Sequence, residues 1–486
     1  MKQTGTGRAE AAPGRTAPAP SVRWVLAGLS LSMLLSSLGT GIANVGLPTL
    51  AQAFGASFQA VQWIVLAYLL AITTVIVSVG RLGDLIGRRR LLLVGVLLFT
   101  AASVLCGSAP TLWLLIAARA AQGLGAAVMM ALTMAFVGEA VPKERTGSAM
   151  GLLGTMSAIG TALGPSLGGV LISGFGWRAL FLVSVPLGLL TLLLAHRHLP
   201  ADRLREPTAG PARFDHLGTL LLALTLAAYA LAMTTGRGRF GALNVALLVV
   251  AALGVWLFVR AEARAPSPLF RPAVFRDPVL SAGLAMSALV STVMMATLVV
   301  GPFYLSRTLG LGEALVGLVL SVGPLVAALT GPPAGRIVDR FGAFRITVAG
   351  LAAMTAGCFL LSVIPQTLGV PGYLAPLVVV TAGYAVFQTA NNTGVMAEVP
   401  AERRGVTSGM LNLSRNLGLI TGASVMGAVF ALASAAADVA TARPDAVADG
   451  MRITFAVAGV LVVVALCTAV GSRTFARRTP GTAESS

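Results

Sequence analysis

The chain has 486 residues, of which 56% are hydrophobic and only 10% charged, and its mean hydropathy is +0.87. A soluble domain carries about a quarter charged residues, so a water-soluble fold is excluded and a bilayer must solvate most of this surface. The net charge of +17 is scattered through short links between apolar runs, a pattern that argues against nucleic acid as a partner and for membrane orientation.

Residues 1–22, rich in Ala, Gly, Pro and Thr, read as a disordered tail that leads into a retained membrane helix. A spanning helix needs about 20 apolar residues. The hydropathy pattern predicts fourteen, at 24–46, 59–79, 91–108, 111–137, 147–173, 178–195, 217–235, 242–259, 279–304, 313–333, 346–364, 371–396, 406–433 and 453–471. With the N-terminus placed in the cytoplasm, 26 of the 34 Lys and Arg fall on the inner side, 6 on the outer side, and Arg119 and Arg415 within spans. That bias places both termini in the cytoplasm, and the excess of arginine over lysine with abundant alanine suggests a GC-rich bacterial genome and so a bacterial inner membrane. Cys106, Cys358 and Cys467 lie in apolar runs and suggest neither disulfides nor a metal site.

Between the second and third spans stands "GRLGDLIGRRR", 80–90, with Arg81, Asp84 and Arg88. The pattern G-x-x-x-D-x-x-G returns in "GRIVDRFGAFR", 335–345, with Asp339 and Arg340, at an offset of 255. A second pair, "VPKERTGSAMG" at 141–151 and "VPAERRGVTSG" at 399–409, has an offset of 258, and Gly160 and Gly164 match Gly418 and Gly422 at the same offset. The chain is therefore an all-α integral membrane protein built from two related six-helix halves, 23–196 and 278–472. Segment 197–277 carries two inserted helices, and 473–486 forms a second cytoplasmic tail. A link that only solvates has no reason to recur in register. We read the pair as a gate that latches in one conformation, its glycines allowing close helix approach and its aspartates capping or pairing with arginine.

These strings resemble the fourteen-span drug:proton antiporters of the major facilitator superfamily. "GRLGDLIGRRR" is similar to the superfamily's signature for that link. "RAAQGLGAA", 119–127, resembles the fourth-helix signature, whose arginine is implicated in proton coupling. "GTALGPSLGG", 160–169, with Gly160, Gly164, Pro165, Gly168 and Gly169, resembles the fifth-helix antiporter signature, and "GWRALFLVSVPLG", 176–188, the opening of the sixth helix. The resemblance implies the major facilitator fold, a substrate site near the membrane midplane between the halves, a monomer, no cofactor, and the proton gradient as driving force. One departure stands out: in "LGTGIANVGLP", 38–48, Gly39 occupies the position of the family's helix-1 aspartate, while Asn44 and Pro48 are retained.

None of the 17 acidic residues lies at the centre of a predicted span. Asp84 and Glu139, at helix ends, remain as candidate proton carriers beside Arg119, with an ordinary interfacial charge as the alternative for Glu139. The polar candidates for the cavity are Asn44, Gln62, Trp63 and Tyr68 in the first half, and Phe387, Gln388, Asn391, Asn392, Asn412, Arg415 and Asn416 in the second. Amides facing lipid are costly, so these face the bundle, either as interhelical bonds or as substrate contacts. A carboxylate-free cavity favours neutral or anionic substrates. The reading is thus an exporter of small lipophilic molecules or drugs in exchange for protons. The alternatives are an uncoupled facilitator, a specific metabolite or antibiotic exporter with another driving ion, and a membrane-embedded enzyme. The enzyme lacks a visible acid–base cluster, and a static receptor has no use for two intact gates.

Overall fold

The computed structural model describes residues 22–140, 146–200, 202, 215–235, 241–264, 277–397, 399, 404–434 and 442–478. Residues 1–21 of the predicted tail, and residues 141–145 and 400–403 of the two "VP" strings, lie outside them. Among the described residues, fourteen helices are long and apolar enough to cross a membrane. The first half contains α1 (Val22–Val45), α2 (Phe58–Ile86), α3 (Arg88–Ser108), α4 (Leu112–Ala140), α5 (Thr146–Phe175) and α6 (Ala179–His198). Then come α7 (His216–Thr234) and α8 (Ala242–Glu262). The second half contains α9 (Pro278–Thr308, closing in a π turn), α10 (Glu313–Phe341), α11 (Ala343–Val363), α12 (Gly369–Ala397), α13 and α14 (Pro444–Arg478). Here α13 comprises Arg404–Thr421, a π turn Gly422–Met426, and Gly427–Ala433. We call the end where α1 begins the base, and the opposite end the apex.

Helix starts follow ordinary capping chemistry. The Ser57 hydroxyl accepts from the Ala60 amide ahead of α2, the Asp215 carboxylate from Gly218 ahead of α7, and the Asp277 carboxylate from Val279 and Leu280 ahead of α9. Large apolar side chains such as Val249 and Trp256 of α8 and Leu329 of α10 stay exposed. In a bilayer these are lipid-facing surfaces, and they need no protein cover.

The recurrent links differ from the loops the hydropathy pattern predicts. α2 continues helically through Gly80–Ile86, and only Gly87 interrupts it before α3 starts. The second copy repeats this geometry: α10 runs to Phe341, Gly342 turns, and α11 begins at Ala343. Gly87 has φ +102° and Gly342 φ +85°, backbone open to glycine at little cost. A one-residue hinge explains why the glycine recurs at the same place in both halves. The physical reason for the longer helices is that continued helix keeps the backbone groups bonded internally at the membrane boundary, with Gly83 packed against Leu132 of α4.

The repeat is also visible in the packing. In the first half, a β-carbon at Gly160 would collide with the Leu34 carbonyl, and one at Gly164 would lie 3.0 Å from the Gly41 carbonyl carbon, so α5 lies backbone-to-backbone on α1. In the second half, Gly418 and Gly422 bring α13 equally close to α9, against the carbonyls of Ala288 and Thr292. A bond between the Ser37 and Ser157 hydroxyls, 2.7 Å, joins α1 to α5, and the Ser414 hydroxyl donates to the Leu284 carbonyl, 2.5 Å, joining α13 to α9.

α7 and α8 form a hairpin outside the two halves. The Asn244 amide of α8 donates to the carbonyls of Ala232, 2.7 Å, and Thr235, 2.8 Å. α7 follows α2 along its length, through Ser78 with Thr219 near the base and Trp63 with Thr234 near the apex. It also reaches the second half, where the Tyr229 hydroxyl donates to Thr421 at 3.2 Å. The insertion therefore straps the seam between α2 and α13.

Candidate functional site: the interface between the halves

The two halves meet at the apex through two contacts related by the internal repeat. In one, α5 crosses α10: a β-carbon at Gly169 would lie 2.5 Å from the Glu313 carbonyl oxygen and 3.0 Å from the Gly317 α-carbon. In the other, α13 crosses α2. There the Gln62 amide donates to the Ala423 carbonyl at 2.8 Å and fills the space over Gly427. Gly427 follows Gly169 by 258 residues and Gly317 follows Gln62 by 255, the same two offsets that relate the motifs. The π turn Gly422–Met426 widens the backbone ladder where Ala423 accepts this bond. Between the two crossings the Phe58 ring meets Phe303 edge-on at 4.9 Å and Phe430 at 5.6 Å.

The base is different. On the same four helices, β-carbons at Gly80, Gly154, Gly331, Gly335 and Gly409 would meet nothing within 4 Å. Asp339 and Arg340 are exposed, and the Arg340 guanidinium lies over the neighbouring Phe341 ring at 5.3 Å. Among the described residues the molecule is closed at the apex and open at the base. The side chains of Arg81, Asp84 and Glu139 lie outside the described residues.

Asp202 is the acidic residue seen at the first hinge. Its carboxylate accepts from the backbone amides of Arg89, 2.7 Å, and Arg90, 3.2 Å, so it caps α3 from the link that follows α6. The Arg89 guanidinium also donates to the His196 carbonyl. Sequence reasoning missed this cap, because a residue more than a hundred positions away carries no local signal for it. Asp202→Ala is expected to cost about 1 kcal/mol, read as a lowered melting temperature of the purified protein; Asp202→Asn should retain most of the stability.

Arg119 is fully buried and lies outside the space between the halves. Its Nε donates to the Ile64 carbonyl at 2.9 Å, Nη1 to the Gln122 side chain at 2.5 Å, and Nη2 to the Gly39 carbonyl at 3.0 Å. Its guanidinium stacks 4.1 Å from the centre of the Tyr68 ring, and Gln122 passes the network on to Ser103 at 2.7 Å. One side chain thereby ties α4 to α1 and α2, with α3 joined through Gln122. Among the described residues no carboxylate is its partner.

The other residues divide. Tyr68 is buried in this network, its hydroxyl donating to the Ser36 carbonyl at 2.8 Å. Trp63 bonds α7 at 3.1 Å. Asn44 is buried, its amide donating to Thr40 within α1 at 3.1 Å while its Oδ1 has no partner. Phe387 packs under Gly350 of α11, and Asn391 donates to the Gly283 carbonyl of α9 at 3.1 Å. Gln388 and Asn392 share one face of α12, each with an enclosed oxygen that no donor reaches. On α13, Asn412 is exposed, Arg415 half-buried and Asn416 buried. Gly160, Gly164 and Gly168 pack on α1, whereas Gly169 and the carbonyl of Pro165 face α10. Gly427 and Gly317 were not singled out from sequence, although the two offsets point to both.

The family model of the Major Facilitator Superfamily matches residues 29–423. The chain is a major facilitator superfamily transporter. It is 32% identical over 451 residues to the uncharacterized transporter YebQ of Escherichia coli, covering 93% of this chain and 95% of that one. It is 33% identical to the multidrug resistance protein Stp of Mycobacterium tuberculosis, over 84% of this chain and 75% of that one. The riboflavin transporter RibZ of Clostridioides difficile is 29% identical over 84% of this chain and 88% of its own. Among solved structures, a bacterial homologue of the lysosomal transporter Spinster, described as inward-facing and unoccupied, superposes with a TM-score of 0.68 over 96% of this chain and 100% of its own. At 16% identity that likeness concerns the fold alone. As a superfamily member the chain is a membrane transporter of small molecules and not an enzyme.

Proposed function

We propose that this transporter exports small lipophilic molecules or drugs across the cytoplasmic membrane by alternating access, in exchange for protons. The observation that carries the reading is the asymmetry of the interface: the four helices that cross at the apex stand apart at the base. With the Lys and Arg bias placing both termini in the cytoplasm, the base opens inward and the conformation receives substrate from the cytoplasm. Rocking about the two apical crossings then exposes the site outward. The likeness to Stp, named as a multidrug resistance protein, supports the drug class. Asp84 and Glu139 are the proton-carrier candidates, because Gly39 removes the carboxylate expected in α1.

The test uses purified protein in liposomes loaded with a pH-sensitive dye and offered a panel of lipophilic cations, neutral antibiotics and organic anions. Substrate-dependent proton movement is the expected result, and Asp84→Asn should lower transport at normal expression and insertion. Substrate flux without proton movement overturns the coupling and leaves a facilitator. The second reading, export of one metabolite, is favoured by the riboflavin transporter RibZ among the relatives; it predicts saturable transport of one compound class only.

A further inference from the structure

We propose that Arg415 is the substrate's counter-ion, and that the transporter selects amphiphilic acids, binding their anionic group at Arg415 and a hydrogen-bond donor at Gln388 and Asn392. The assignment rests on the transport reading above and names the substrate class of that same cavity.

The direction of Arg415 follows from the contacts around α13. Ser414, Gly418 and Gly422 lie on the α9 face, fixed by the bond from Ser414 to the Leu284 carbonyl and by the bond from Thr292 to the Gly418 carbonyl, 3.1 Å. Ala423 and Gly427 lie on the α2 face, fixed by Gln62, and Asn416 shares that stripe. Thr421 marks the outer edge, where α7 docks. At about 100° per residue, Arg415 falls on the remaining edge, between α9 and α2 and turned away from α7. That edge faces the space between the halves. Arg415 lies six residues inside the apolar stretch that starts at Gly409, or about 9 Å of helix rise.

The height of the site is set independently. Asn391 bonds Gly283 and Ser414 bonds Leu284, so α12 and α13 flank consecutive residues of α9. α12 and α13 run antiparallel, so Asn392 lies one residue towards the base and Arg415 one residue towards the apex, which puts Arg415 between the levels of Asn392 and of Gln388, one turn further up α12. Arg415 is half-buried and pairs with no described residue. The Gln388 and Asn392 oxygens are enclosed without donors. An unpaired guanidinium at membrane depth is costly unless an anion reaches it, and enclosed acceptors without donors are costly for the same reason. One ligand satisfies all three groups: an acid that also carries a hydroxyl or N–H. Arg119 adds a buried positive charge to the first half, and no acidic residue falls mid-span, so the field in the cavity repels cations.

The test is binding to full-length protein in phosphatidylcholine nanodiscs, whose lipid is zwitterionic and carries no net negative charge. Fluorescein, assayed at a mildly acidic pH that keeps its phenol protonated, supplies a carboxylate anion and a phenolic donor; rhodamine 6G is its cationic relative on the same ring system. The expected result is tighter binding of fluorescein than of rhodamine 6G, with Kd for fluorescein raised at least about tenfold in Arg415→Gln and within about threefold of wild type in Arg415→Lys. Melting temperatures of both variants establish that they are folded, and Gln388→Leu should weaken fluorescein binding separately. Equal fluorescein Kd in wild type and a folded Arg415→Gln, or tighter binding of rhodamine 6G, overturns the assignment. Arg415-dependent binding without flux in liposomes supports the anion site while overturning the export reading, so the two failures are distinguishable.

Discussion

Replacing Gly169 or Gly317 with valine is expected to wedge the apex apart and to lower transport by more than about tenfold, while each half stays folded. The reason is the identity of the atoms that a side chain would meet. At Gly169 they are the Glu313 carbonyl oxygen, at 2.5 Å, and the Gly317 α-carbon and amide nitrogen; at Gly317 they are the Pro165 carbonyl and the Gly169 backbone. Backbone atoms cannot rotate away, so α5 and α10 must separate. Overpacking of this kind costs about 1–3 kcal/mol, and a bias of that size between two conformations changes their ratio by about 5–150-fold. The repeat supplies an internal control. Gly427 faces the end of the Gln62 side chain instead of backbone, so Gly427→Ala should be milder than Gly169→Ala. A second control is Gly160→Val, which crowds α1 within one half and should lower the melting temperature more than Gly169→Val does. The measurement is labelling of single cysteines introduced at the apex and at the base. Increased apical and decreased basal labelling in Gly169→Val is the expected pattern. Normal transport with unchanged labelling would mean that the apical crossing is not the pivot.

The fourteen helices and the two-half plan were legible because both signals are local or repetitive. Length of apolar run predicts a span, and motifs at offsets of 255 and 258 predict a duplicated unit. The structure carries those offsets into three dimensions, since Gly160 and Gly164 of α5, packed against α1, match Gly418 and Gly422 of α13, packed against α9. Boundaries were less legible at the hinges. Charge and glycine read as a loop at 80–86, yet the backbone stays helical until Gly87. Roles that depend on the partner across the bundle left no trace in local pattern. Nothing around Asp202 indicates that it caps α3, and nothing around Trp63 separates a bond to α7 from a place in the cavity. Arg119 was legible as special because a buried arginine in an apolar span is rare, but only the structure gives its three acceptors. Arg415 drew attention for the same reason, and its direction required the contacts of its neighbours on α13.

Arg119→Lys is expected to fail nearly as badly as Arg119→Met. The three acceptors of the guanidinium, the carbonyls of Ile64 and Gly39 and the side chain of Gln122, lie on three helices and are reached by three different nitrogens. A lysine ammonium is a single point with no planar fork and cannot span them. It also loses the flat stacking surface over Tyr68. Each charged hydrogen bond contributes about 1.5–3 kcal/mol, so either variant should lose at least about 3 kcal/mol of stability, measured as reversible unfolding in mixed micelles. The same site makes a sharper prediction about Gly39. A β-carbon there would lie 2.8 Å from the Tyr68 hydroxyl and 3.3 Å from the ring carbon that bears it. Tyr68 thus occupies the volume that an aspartate at position 39 requires, and the glycine and the tyrosine belong together. Gly39→Asp alone should destabilise, because it displaces a hydroxyl bonded to the Ser36 carbonyl. Adding Tyr68→Phe removes that oxygen and lets the carboxylate approach Arg119, so the double variant should be more stable than the sum of the two single changes by about 1–3 kcal/mol. Additivity within about 0.5 kcal/mol would mean that the new carboxylate does not reach the guanidinium. If the pair does couple, Arg119 in the natural chain is a cation whose place was built for an anion and whose charge is now carried by backbone carbonyls.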